Sequence, residues 1–207
     1  MFKRPLAFLA ILFVSVVVAP AAFAPAAHAR AAVAAVVHVR VEGKTTTIFG
    51  ATEPRALANT ALDALEAASL GGEFYYHVTQ SSFGPYVDQI GRYPASGSSG
   101  WVFKVDGVVP QVGADKVQLH DGDTVVWYWA TFGPNGGPPT LELKRSKQDC
   151  YLVFEQDDTG KETPAVHAVL HVDRRAIKAA VGQNCIGPHR GLVRASEPGA
   201  VRSNALA

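Results

Sequence analysis

The chain has 207 residues, enough for one large domain or two small ones, each with its own core. Its 19 Lys and Arg against 18 Asp and Glu leave a formal net charge of +1, with the two signs interspersed. That balance excludes the basic footprint of a nucleic-acid binder and the polybasic patch of a membrane-surface protein.

Lys3 and Arg4 precede a nearly uninterrupted apolar run over residues 6–19, and Ala-x-Ala sites follow at residues 22–24 and 27–29. A short basic region, an apolar region and a small-residue cleavage site are the parts of a secretory signal peptide. Pro25 hinders a peptidase at the first site, so cleavage is expected after Ala29, removing residues 1–29. An uncleaved membrane anchor is the alternative, because the run is borderline for a span of about 20 residues. With the leader removed, 17 basic residues face 18 acidic ones and no stable membrane span is left. The expected location is secreted, extracellular or periplasmic.

In chain order, Val37, Val39 and Val41 alternate with His38 and Arg40, the period of a half-buried strand. "EGKTTTIFGATEP" continues through a turn into a second short strand ending near Gly50. Thr52 suits a helix cap and Pro54 the first turn, where a missing N–H costs nothing. Leu57, Ala61 and Leu65, with Ala58 and Leu62 beside them, form an apolar stripe at helical spacing. Gly71 and Gly72 are expected to end the helix in the left-handed conformation. "EFYYHVTQ" reads as a strand, and residues 81–100, "SSFGPYVDQIGRYPASGSSG", as a long loop carrying aromatic residues.

Trp101, Phe103 and Val105 alternate ahead of a hairpin turn at Asp106-Gly107. After a second turn, Asp121-Gly122-Asp123, Val125, Trp127 and Trp129 share one face of a strand, with Val126 and Tyr128 on the other. "GPNGGPP", residues 133–139, marks a linker. Residues 140–207 read as short strands and polar turns, a small β-rich, sandwich-like domain. "RRAIKAAVG" within it is a short helix or another strand. Cys150 and Cys185 both lie in the exported part, where an even count points to one disulfide, with two free thiols as the alternative.

Residues 36–132 resemble the C-terminal domain of transcobalamin and intrinsic factor, a domain also found in secreted bacterial proteins. The pattern that carries the resemblance is "GWVFKVDG" at 100–107, Gly-Ala-Asp at 113–115, Asp-Gly-Asp at 121–123, and the Val and Trp that follow. The resemblance implies an α+β fold, a β-grasp-like mixed sheet packing one helix, and a role in binding rather than chemistry, with a cobalamin-like ligand. Here no helical barrel precedes the domain, so half a site would bury little of so large a ligand. "GLVRASEPGAVRSNAL" at the end is similar to the last strands of bacterial immunoglobulin-like modules.

Trp127 and Trp129 are expected to pack beneath the helix. Trp101 and Tyr128, with Tyr86 and Tyr93 from the loop, are the candidate exposed aromatic platform for a small molecule or an extracellular partner. Asp121 and Asp123 are too few to hold calcium and read as turn residues. His167 and His171 are four apart on a strand, too separated for a shared metal, so no metal or other cofactor is expected. "GSSG" at 97–100 lacks the spacing of a nucleophile elbow, and no catalytic constellation is recognisable. The expected function is therefore a secreted, non-enzymatic binding module. A structural or adhesive surface protein without a small ligand is the alternative.

Overall fold

The computed structural model describes residues 33–82, 84–134 and 136–207. The expected signal peptide, residues 1–29, and its expected cleavage site lie outside the described residues. Residues 33–207 belong to one compact unit.

Strand β1 (Ala35–Glu42) is the centre of the first sheet. It pairs antiparallel with β2 (Thr47–Phe49) and β3 (Arg55–Ala58) along one edge. Helix α1 (Ala61–Gly72) follows. Strands β4 (Tyr76–Ser81), β5 (Gly84–Ile90) and β6 (Tyr93–Pro94) form a separate three-stranded antiparallel sheet. Strands β7 (Ser99–Val105) and β8 (Thr124–Thr131) then return to the first sheet, where β8 runs parallel to β1 and antiparallel to β7.

The rest of the chain makes two four-stranded sheets. One holds β9 (Thr140–Lys147), β10 (Cys150–Gln156), β11 (Glu162–Pro164) and β14 (Asn184–Cys185). The other holds β12 (Val169–Val172), β13 (Arg175–Lys178), β15 (Val193–Ser196) and β16 (Ala205–Leu206). Leu141, Leu143, Tyr151, Val153, Leu170 and Val193 make a core between them. Cys150 and Cys185 face each other across β10 and β14 and form the disulfide.

This overturns the expected α+β grasp fold. The described residues hold a single 12-residue helix against sixteen strands in four sheets, so the fold is dominated by β-structure. Two local competitions explain the difference. Residues 55–58, read as the start of the helix, are drawn into backbone pairing with β1, which leaves Leu57 exposed. The helix instead starts after Thr60, whose Oγ1 accepts from the Asp63 N–H while the Asp63 carboxylate accepts from the Thr60 N–H. Residues 84–94, read as loop because of their Gly and Pro, gain hydrogen bonds as β5 and β6 instead.

The end of the helix differs too. Gly72 is helical and Glu73 takes the left-handed conformation, φ 50°. Gly72 is there for space: a Cβ would stand 2.7 Å from the Phe49 ring.

The two faces of the first sheet are buried in different ways. Val37, Val39 and Val41 of β1 pack with Ala64, Leu65 and Ala68 of α1 in a dry core. The other face carries buried charges beside the apolar cluster of Val126, Tyr128 and Ala130. Glu42, fully buried, is held by Arg194 and Arg202 from the C-terminal half and reaches Arg40 beside it at 3.4 Å. Lys104 of β7, also buried, donates to Thr140 Oγ1 (3.1 Å), Gln156 O (2.9 Å) and Asp157 O (2.8 Å). Glu42 and Lys104 each have ordered partners, which a buried charge requires if it is not to destabilise the fold.

Candidate functional site

Registry decides which aromatic side chains can meet. In the β7–β8 pair Trp101 stands opposite Trp129, and Phe103 opposite Trp127. Trp101, Phe103, Trp127 and Trp129 therefore share the face that carries α1, because side chains alternate along each strand. Trp127 stacks on Phe103 at 4.9 Å between ring centroids and donates from Nε1 to Ala61 O at 3.1 Å, at the start of the helix. Trp101 meets Trp129 edge-on at 5.6 Å and donates from Nε1 to Tyr93 O at 2.9 Å.

The four aromatic residues singled out in the sequence do not form one surface. Trp101 is 4% exposed and Tyr128 1% exposed, and they occupy opposite faces of the sheet. Tyr128 packs with Val126, Ala130 and Val201, with the Lys104 ammonium 5.9 Å from its ring centroid. Burial pushes its hydroxyl pKa upward, and the negative charge of Asp158 adds to that. Tyr93, half-buried, lies beside Trp129, and its hydroxyl is 3.3 Å from Thr45 Oγ1. That hydrogen bond, followed by the nearby Arg92 side chain, lowers the Tyr93 hydroxyl pKa. Tyr86 on β5 is 43% exposed.

Tyr86 and Trp101 do border one cleft, of about 310 Å³, and sequence reasoning missed the residue that completes it. Phe132, just past the end of β8 and 45% exposed, lines the same cleft. The Phe132 N–H donates to Ser98 O, which ties β8 to the Ser/Gly turn ahead of β7. Ser98, Ser99 and Gly100 are also part of the lining, and Ser99 Oγ is 2.8 Å from Thr131 Oγ1. A Cβ at Gly100 would fall 2.7 Å from the Tyr86 hydroxyl, so the glycine is what lets the phenol lie across the strand. The available signal for Phe132 was its place between the strand and Gly133, where an aromatic side chain has no core to enter.

The other motifs settle into structural work. Asp121 Oδ1 accepts from the Val36 N–H and Asp123 Oδ2 from the His120 N–H, both at 2.8 Å. His171 Nε2 is 2.7 Å from Ser196 Oγ on the neighbouring strand. Among the described residues no three His, Cys, Asp or Glu side chains are grouped as a metal would need.

Residues 58–131 match the model of a family described as a domain of unknown function, DUF4430. The matched stretch runs from the end of β3 to the end of β8 and contains Tyr86, Tyr93, Trp101 and Tyr128. No curated protein matches the chain. Among solved structures it is similar to a candidate metal binding protein from Ruminococcus gnavus, at 14% identity and a TM-score of 0.34, over 46% of this chain and 95% of that one.

Proposed function

We propose that this protein is an exported, non-enzymatic binding module, related to the C-terminal domain of transcobalamin and intrinsic factor, whose site is the cleft between Tyr86 and Phe132. The observation that carries this reading is the pair of large aromatic side chains left exposed across a floor of serine, glycine and Trp101. Exposed aromatic surface is expensive in water, and such pairs flank sites that take a flat or ring-shaped ligand. At about 310 Å³ the cleft sits at the lower end of small-molecule sites, which run from about 300 to 1,000 Å³. A corrinoid would thus be gripped at one edge, and smaller ring compounds enclosed more fully.

Among the described residues the cleft lining holds no Asp, Glu, His, Lys or Cys. That favours holding a ligand over transforming one. Export is supported by the Cys150–Cys185 disulfide, since such bonds persist in oxidising compartments. No helix among the described residues is long and apolar enough to cross a membrane.

The test is a titration of the full chain with cyanocobalamin and other corrinoids, read by tryptophan emission and by melting temperature. Trp101 borders the cleft, so binding is expected to change its emission, and saturation at a hundred times the dissociation constant stabilises by about 2.7 kcal/mol. Tyr86→Ala and Phe132→Ala should each remove most of that response. No response to any corrinoid ends the carrier relationship, and binding that survives both substitutions ends the assignment of the cleft.

A further inference from the structure

A second cavity lies on the other face of the first sheet, between β1, β7 and β8 on one side and β9 to β11 on the other. Its volume is about 280 Å³. Its inner wall includes Arg40 and Lys104, and its lining also contains Glu53, Asp106, Glu142 and Glu162.

Charge is distributed unevenly across it. Around Arg40, three guanidinium groups (Arg40, Arg194 and Arg202) face two carboxylates, Glu42 and Glu53, leaving one positive charge uncompensated. Arg40 is 3% exposed, and its Nε donates to Glu53 Oε1 while Nη1 donates to Arg202 O and reaches Glu42. Its Nη2 donates to no acceptor among the described residues. Arg40 lines the cavity, so the two Nη2 hydrogens are left for water or for an anionic oxygen held there. Lys104 is paired with Asp158 at 3.8 Å and its three hydrogens are taken, so it offers no free donor.

The opposite wall is acidic. Glu142 and Glu162 share one lysine, Lys144, which is 2.7 Å from Glu162 Oε1 and 3.6 Å from Glu142 Oε1. Two carboxylates against one ammonium leave a negative charge uncompensated there, and burial holds the Glu142 carboxyl pKa above its usual range.

We propose that this cavity binds a small zwitterion of the amino-acid class, its carboxylate on Arg40 Nη2 and its ammonium between Glu142 and Glu162. A simple anion meets the acidic wall, a simple cation meets Arg40 and Lys104, and a neutral sugar leaves both walls uncompensated. Only a ligand with both charges matches both ends. Its size limits the side chain to a small one. Because the two walls come from the two halves of the chain, the ligand also cross-links them.

The probes are L-alanine, succinate, n-butylamine and glucose, titrated calorimetrically into the full chain. L-Alanine should bind, and the other three should bind at least tenfold more weakly, about the worth of one charge-assisted contact. Glu142→Gln, at the partly exposed wall, should weaken L-alanine about tenfold while leaving the melting temperature of the free protein unchanged. Arg40→Lys keeps the charge of the buried cluster and removes the free Nη2; should it fail to fold, Glu142→Gln decides alone. Absence of L-alanine binding, equal binding of succinate or n-butylamine, or an unchanged affinity in Glu142→Gln would each overturn the proposal. Tyr86→Ala is expected to leave L-alanine binding intact, which separates this site from the aromatic cleft.

Discussion

Trp101 and Tyr86 line the same cleft and lie within one stretch of aromatic-rich sequence, yet they do opposite work. Trp101 is enclosed, with its ring edge-on to Trp129 and its N–H committed to Tyr93 O. Tyr86, like Phe132, leaves nearly half of its surface in solvent. Aromatic residues of the β7–β8 pair build the sheet, and those at its margin keep their rings partly in solvent. Composition alone does not separate the two sets; registry and burial do.

The comparison can be broken by substitution. The largest effect is expected for Trp101→Ala, which should cost about 3–5 kcal/mol in a denaturant titration, as large-to-small changes of a buried aromatic do. A loss under about 1 kcal/mol would place Trp101 with the marginal set. Next comes Lys104 beneath Tyr128, whose pKa burial lowers to about 8, against the opposing pull of Asp158 and Asp157. The unfolded chain then holds a proton that the folded one releases between about pH 8 and 10.5, so folding stability rises with pH across that window. Wild type should gain on Lys104→Met by on the order of 2–3 kcal/mol between those limits. A flat difference would mean that the three hydrogen bonds to Lys104 cancel its desolvation.

Smaller effects sharpen the same division. Trp127→Phe keeps the stacking on Phe103 and loses only the bond to Ala61 O, an expected cost of about 1 kcal/mol by thermal or chemical denaturation. Smallest of all, Tyr86→Ala and Phe132→Ala should each change stability by no more than about 0.5 kcal/mol. A larger loss in either would show that the rim residue supports the fold.

Several of these features were legible in the sequence because they are local. The alternation of Val37, Val39 and Val41 marks a strand with one apolar face, and the two-residue spacing of Trp127 and Trp129 puts them together. What escaped depends on partners far along the chain. Trp101 and Tyr128 looked like one platform because nothing local says that Trp101 pairs with Trp129; one residue of register reverses the face. Arg40 reads as the polar side of a half-buried strand, but Arg194 and Arg202, more than 150 residues later, pack against it and Glu42, and both are buried. The helix start went to Thr52 and Pro54 because both carry good local signals. The Thr60–Asp63 capping box is equally visible, and the pairing of β3 with β1 decides between them. The strands β5 and β6 were hidden by Gly84, Pro85, Gly91 and Pro94, which read as loop punctuation until β4 supplies a partner.

The most direct measurement of the central claim is a paired titration with cyanocobalamin of wild type and the double variant Tyr86→Ala/Phe132→Ala, following tryptophan emission in proteins of matched stability. Saturable quenching is expected in wild type, and loss of saturation in the variant while its denaturation midpoint stays within error of wild type. Equal saturation in both proteins would contradict the assignment of binding to the rim aromatics.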